Sequence, residues 1–200
     1  MKGSEKAVVL PVRTKEAAEY LEKKYQGAFT LFSSEAPSID QMYSRMVFFP
    51  TEQPNRKFSV YDDYRQFADN YFGVLAEDRM QALLDCVLRE ICPEAKTFFF
   101  FRSHAFPAEF VDPAKLTCLL EEKSEFLSIS MYSLFPSWFD LSRTVFDELC
   151  GKLKANHITA FLSCYSFDAN DIRGLDTASF RGYLSQHIQT RPKFTFLIQP

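Results

Sequence analysis

Apolar residues return at helical spacing in six stretches of the chain. The clearest, 77 to 92 ("EDRMQALLDCVLREIC"), sets Met80, Leu83, Leu84, Val87, Leu88 and Ile91 on one face and stops at Pro93. A second opens at Ser137, with Asp140 three residues on, and carries Trp138, Leu141, Val145, Leu149 and Leu153 inward as far as Asn156. Thr14 to Tyr25 reads as a third, with Gly27 as its left-handed cap. Asp112 and Pro113 start a short helix through Leu116, Leu119 and Leu120. Asp176 caps a fifth through Phe180, Leu184 and Ile188. Asp62 or Asp63 caps a sixth through Tyr64, Phe67 and Tyr71, ending at Gly73.

Between these lie short β-branched or aromatic runs at 6 to 10, 28 to 33, 45 to 49, 97 to 102, 126 to 134, 158 to 167 and 194 to 198. In "KTFFFFRSHAF" the four phenylalanines alternate faces, Phe98 with Phe100 and Phe99 with Phe101, so this strand needs cover on both sides and is expected at the centre of a sheet. The stretch 126 to 134 sets Leu127, Ile129 and Met131 against Ser128, Ser130 and Tyr132, the pattern of a strand nearer an edge. From Thr97 onward strands and helices alternate at the spacing of βαβ units. The expectation is α/β: one globular domain over residues 1–200, with a mixed, largely parallel sheet flanked by helices. An antiparallel α+β arrangement is the runner-up.

Composition adjusts this picture in two ways. Apolar surface is concentrated in 22 Phe and 9 Tyr against one Trp and 6 Gly, so most of the rings belong to the core. The formal charge of −3 is spread along the chain, with no basic stripe for nucleic acid. No apolar run approaches the length of a membrane helix or a signal-peptide core, and a soluble, cytoplasmic protein is expected. The five cysteines, Cys86, Cys92, Cys118, Cys150 and Cys164, form no CxxC pair and lie in apolar segments, as reduced, buried thiols would.

The chemistry-bearing residues gather weakly. If 97 to 102 and 158 to 167 were parallel neighbours, Arg102, Ser103 and His104 would share a sheet edge with Asp168, Asn170 and Asp171. His104 oriented by Asp168 or Asp171, with Ser103 or Cys164 as nucleophile, would then make a small hydrolase or transferase site. No G-x-S-x-G elbow surrounds any serine. His157 follows a helix end, where an imidazole bonds the last carbonyls, and His187 lies in a helical stretch.

No metal site and no cofactor are expected, because the three histidines make no i, i+4 pair and the six glycines make no phosphate loop. "DANDIRG" begins like a calcium loop, yet Ile172 and Arg173 stand where a ligand and the turn glycine are needed.

The segment "YDDYRQFADNYFG" mixes rings with acids in the manner of a recognition surface: Tyr61, Asp62, Asp63, Tyr64, Asp69 and Asn70. The functional expectation is a non-catalytic protein that binds another protein, an inhibitor or immunity-type partner of a basic protein, without nucleic acid or membrane. The enzyme built on His104 and Asp168 is the alternative.

Overall fold

The computed structural model describes residues 12–38, 41–186 and 192–199. The expected strand at 6 to 10 and His187 lie outside them. The chain mixes helices and strands and divides into two compact units, Met1–Leu75 with His104–Asp112, and Ala76–Ser103 with Pro113–Pro200.

The first unit begins with α1 (Thr14–Tyr25), which matches the expected span. Its left-handed cap is Gln26, at φ 54°, rather than Gly27, because the helix stops one residue sooner and the Gln26 N–H closes on Glu22. Four strands follow as an antiparallel meander: β1 (Phe29–Glu35), β2 (Ser44–Pro50), β3 (Phe58–Asp62) and β4 (Phe67–Asp69). Ala17 and Leu21 of α1 pack with Met46, Phe48, Phe58, Val60 and Tyr71, while Arg45, Val47 and Phe49 alternate onto the other face of β2. His104–Asp112 completes this unit. The Phe106 N–H bonds the Asp69 carbonyl at 2.8 Å, and the rings of Phe106 and Phe110 stand 5.5 and 5.2 Å from Phe72.

The expected helix over 62 to 73 is not formed. Asp62 and Asp63 are the reason, since each carboxylate takes backbone N–H groups two or three residues ahead, from Tyr64, and from Arg65 and Gln66. Those bonds turn the chain, and Tyr64 sits at φ 66° in the left-handed region. The result is a hairpin between β3 and β4. The helix α2 starts only at Tyr71 and runs to Arg89, with Met80, Leu84, Val87 and Leu88 buried as the periodicity requires.

The second unit holds β5 (Lys96–Phe101), β6 (Ile129–Pro136), β7 (Ala160–Phe167) and β8 (Phe194–Ile198), in that order. The sheet is mixed, but β6 and β7 are its one parallel pair among the described strands. The expected predominance of parallel pairing fails because alternation of elements does not by itself force a crossover. The helix α4 (Arg143–Ala155), 13 residues and so about 20 Å long, carries the chain back along the sheet from β6 to β7. The connection from β5 to β6 contains one α-helix, α3 (Leu116–Lys123), eight residues or about 12 Å, with a 3₁₀ turn on either side, and β6 returns antiparallel. The short α5 (Ala169–Arg173) and α6 (Thr177–Gln186) likewise lead into an antiparallel β8.

The strand positions are also exchanged. β5 lies at the edge and β6 inside, the reverse of the expectation. Both faces of β5 are covered as required, since Phe98 and Phe99 are each buried. Phe98 stacks on Phe180 at 4.2 Å, with Leu134, Tyr165 and Ile172 beside them. In β6 the alternation holds over its first half, with Ile129 and Met131 buried and Ser130 and Tyr132 partly exposed, and Ser133, on the buried side, lies 3.3 Å from the Thr97 hydroxyl. Trp138 is 63% exposed because α4 begins five residues later than Ser137 suggested, at Ser142, whose hydroxyl accepts from the Val145 N–H. Asn156 ends α4 as expected.

Candidate functional site

The segment Tyr61–Asn70 is where the sequence promised exposed acids, and two of its three carboxylates point inward. Asp62 is fully buried. Arg13 meets it with two bonds, Nε to Oδ2 at 2.9 Å and an Nη to Oδ1, and the Phe67 ring lies 4.7 Å from the guanidinium. The bond to Asp62 raises the Arg13 pKa above its ordinary value. Asp69 is also fully buried. It accepts from the Tyr20 hydroxyl at 2.7 Å, the Tyr25 hydroxyl at 2.7 Å, Lys24 Nζ at 2.8 Å and the Tyr71 N–H at 2.9 Å. Burial first, and the Asp69 charge next, push both phenols well above the usual tyrosine range. These carboxylates tie α1 to the β3–β4 hairpin.

Asp63 alone of the three is exposed, and the N–H groups of Gln66 and Arg65 hold its carboxyl below the usual range. Asn70 faces the fold as well, its Oδ1 accepting from the Ser59 N–H at 2.7 Å. Tyr64 is half-buried, its hydroxyl 3.0 Å from that of Ser44.

Tyr61 belongs to a different grouping. Its ring stands 5.4 Å from Tyr43, edge to face, and 6.4 Å from the imidazole of His104. Arg45 is its direct cross-strand partner on β2 and bonds the Ser59 hydroxyl at 3.2 Å. Tyr43 is 39% exposed, Met42 beside it is 87% exposed, and Arg45 and His104 are exposed too. Three rings and a guanidinium thus share one accessible surface of the first unit. Tyr43 and Arg45 went unnoticed in the sequence, because only the register that sets Arg45 against Tyr61 brings them there.

The parallel pairing that would bring Ser103 and Asp168 to one sheet edge is not formed. β5 and β7 are not neighbours and run antiparallel to each other, with β6 between them. Ser103 follows β5 at the end where Phe101 meets Ile129, whereas Asp168 follows β7 at the end where Phe167 meets Pro136. Ala160 and Phe167 mark those two ends on β7, about 23 Å apart at roughly 3.3 Å per residue. The Ser103 hydroxyl donates to the Phe126 carbonyl. Asp168 caps α5 by accepting from the Asn170 N–H at 2.9 Å, and Asp171 is exposed within that helix.

Cys164 is fully buried on β7, and burial pushes its thiol up to about 12, which leaves no accessible thiolate. Cys92 is buried too, while Cys86 and Cys118 are exposed on the outer sides of α2 and α3 and Cys150 is half-buried, so the expectation of uniformly buried thiols fails for these. The imidazole expected to cap α4 at His157 is replaced by the backbone, whose N–H bonds the Lys154 carbonyl at 2.9 Å with φ 56°.

Among the described residues no three His, Cys, Asp or Glu side chains gather as a metal-ligand set, and no helix is long and apolar enough to cross a membrane. Comparison with protein-family models, with curated proteins and with solved structures finds no match to this chain.

Proposed function

We propose that this chain works by binding another protein through the surface formed by Tyr43, Arg45, Tyr61 and His104. The observation that carries the reading is the Tyr43–Tyr61–His104 row, rings 5.4 and 6.4 Å apart beside an exposed Arg45. Tyrosine and arginine are the residue types that dominate binding energy in protein interfaces, and tyrosine offers large contact area for little lost freedom. An inhibitor or immunity-type role belongs to this reading, with the cytoplasm as its setting, in keeping with five cysteines that remain thiols. A basic partner drawn by Asp62 and Asp69 has less support, since Arg13 and Lys24 already neutralise both carboxylates. Asp63 is the acid left to meet it.

The test is capture from the native host with the full chain and with a Tyr43→Ala, Tyr61→Ala variant, followed by affinity measurement on whatever protein is stoichiometric. Loss of two such rings is expected to weaken binding at least 100-fold, on the scale of about 2 kcal/mol or more for an interface hot spot. A partner that binds the variant as tightly as the wild type removes this surface from the proposal.

A further inference from the structure

Strand alternation sorts the charges of the first sheet by face. Asp62 and Asp69 lie on the side of α1, where Arg13 and Lys24 meet them, while Tyr61 and Ala68, paired across β3 and β4, lie on the other side. Arg45 stands in that same row opposite Tyr61, and Glu35 of β1 stands opposite Arg45 on its far flank. The buried acids of the segment are therefore turned away from the face that carries the rings.

Arg45 is exposed and, among the described residues, enters no ion pair. Its Nε donates instead to the Ser59 hydroxyl at 3.2 Å, which draws the guanidinium over β3, the side away from Glu35. Ser59 is buried, so this bond anchors one edge of the guanidinium to the sheet. The Nη edge has no acceptor among the described residues, and the hydroxyls of Tyr43 and Tyr61 have no hydrogen-bond partner there either. A held cation and two uncommitted phenols share one surface.

This surface is the one read above as the place where another protein docks, and the inference rests on that reading. We propose that the partner presents an aspartate or glutamate to it, the carboxylate received by the Nη edge of Arg45 beside the rings of Tyr43 and Tyr61. Arg45 and both phenols can donate, and a carboxylate is the side-chain group that only accepts, with two oxygens spaced to match a guanidinium edge. A lysine or arginine of the partner would bring like charge to Arg45 and donors to donors. A phosphorylated side chain carries about two negative charges, which one guanidinium flanked by Glu35 does not balance. The singly charged carboxylate is the complement.

Short random peptides displayed on phage and selected on the full chain supply the probes. Clones are kept when they lose binding to the Tyr43→Ala, Tyr61→Ala variant, so that every probe reports on this surface. The kept clones are expected to carry more Asp and Glu than Lys and Arg, to lose about tenfold or more in affinity to Arg45→Gln, and to gain about twofold in Glu35→Gln. Arg45 and Glu35 are exposed, and melting checks that each variant is folded. If Arg45→Gln unfolds, Glu35→Gln carries the test, and Tyr43→Ala alone, outside the strands, serves if the double variant unfolds. Clones that depend on the rings yet show no acidic excess, or that bind Arg45→Gln as tightly as the wild type, overturn the carboxylate and leave the docking surface standing. An absence of ring-dependent clones overturns both.

Discussion

The two units hold themselves together by different means. In the first, one helix covers one face of a four-stranded meander, and its packing is pinned at both ends by ion pairs to buried carboxylates: the half-exposed Arg13 with Asp62, and the buried Lys24 with Asp69. In the second, the centre is rings and aliphatic chains, and the buried polar residues of its sheet are Thr97, Ser133 and Ser163. A thin layer offers little apolar area to fix a helix, so fully partnered charges specify its register where shape alone would not. A sheet covered on both faces needs no such device.

The largest effects test the apolar unit. Phe98→Asp and Phe99→Asp, made separately, each bury an unpaired charge on one face of β5 and are expected to abolish soluble, folded protein; normal melting of either would show that face to be wet. Next comes the ionic unit. Asp69→Ala leaves Lys24 and two phenols without their acceptor and is expected to cost about 3–5 kcal/mol in urea unfolding, while the exposed Asp63→Ala leaves the unfolding midpoint close to that of the wild type. Equal losses would mean that the burial of Asp69 carries no energetic weight.

Alkaline titration separates the units more finely. Tyr20 and Tyr25 have folded pKa values raised above 10.0, so they keep their protons in the native state when the unfolded chain has lost them. Their contribution is complete below about pH 10 and is lost as the pH rises beyond it. Cys164 acts with the same sign in the second unit, between its ordinary 9.0 and about 12. Replacing both tyrosines by phenylalanine should therefore flatten the fall in stability above pH 10, and an unchanged slope would contradict the assignment. Iodoacetamide gives a smaller contrast: Cys86 and Cys118 should label in the native protein while Cys164 does not. Smallest of all is Trp138→Ala, expected within about 0.5 kcal/mol because the ring is 63% exposed.

The sequence disclosed the elements whose burial is periodic. The stripe of α2, the leucines of α3 and the two covered faces of β5 are visible because each residue's burial follows from its own spacing. Neighbour relations were not visible. Nothing local distinguishes an edge strand with both faces covered from a central one, and so β5 and β6 changed places. The β3–β4 hairpin was missed for another reason: its rings fit a helical wheel, while the competing aspartate-to-backbone bonds were signalled only by the pair Asp62-Asp63. The candidate site suffered most, since Tyr43, Arg45, Tyr61 and His104 come from separate stretches and meet only through tertiary pairing.

The return of His104–Asp112 to the first unit bears on how the chain is made. A ribosome releases the four-stranded meander first, yet Phe72 gains its neighbours Phe106 and Phe110, and the backbone of Asp69 its bridge, only after β5 has been synthesised. A nascent chain halted at Leu75 lacks the rings that cover Phe72 and the residue that bridges β4, and so leaves apolar surface and a strand edge uncovered. Completion of the amino-terminal half therefore waits on residues encoded well downstream of it.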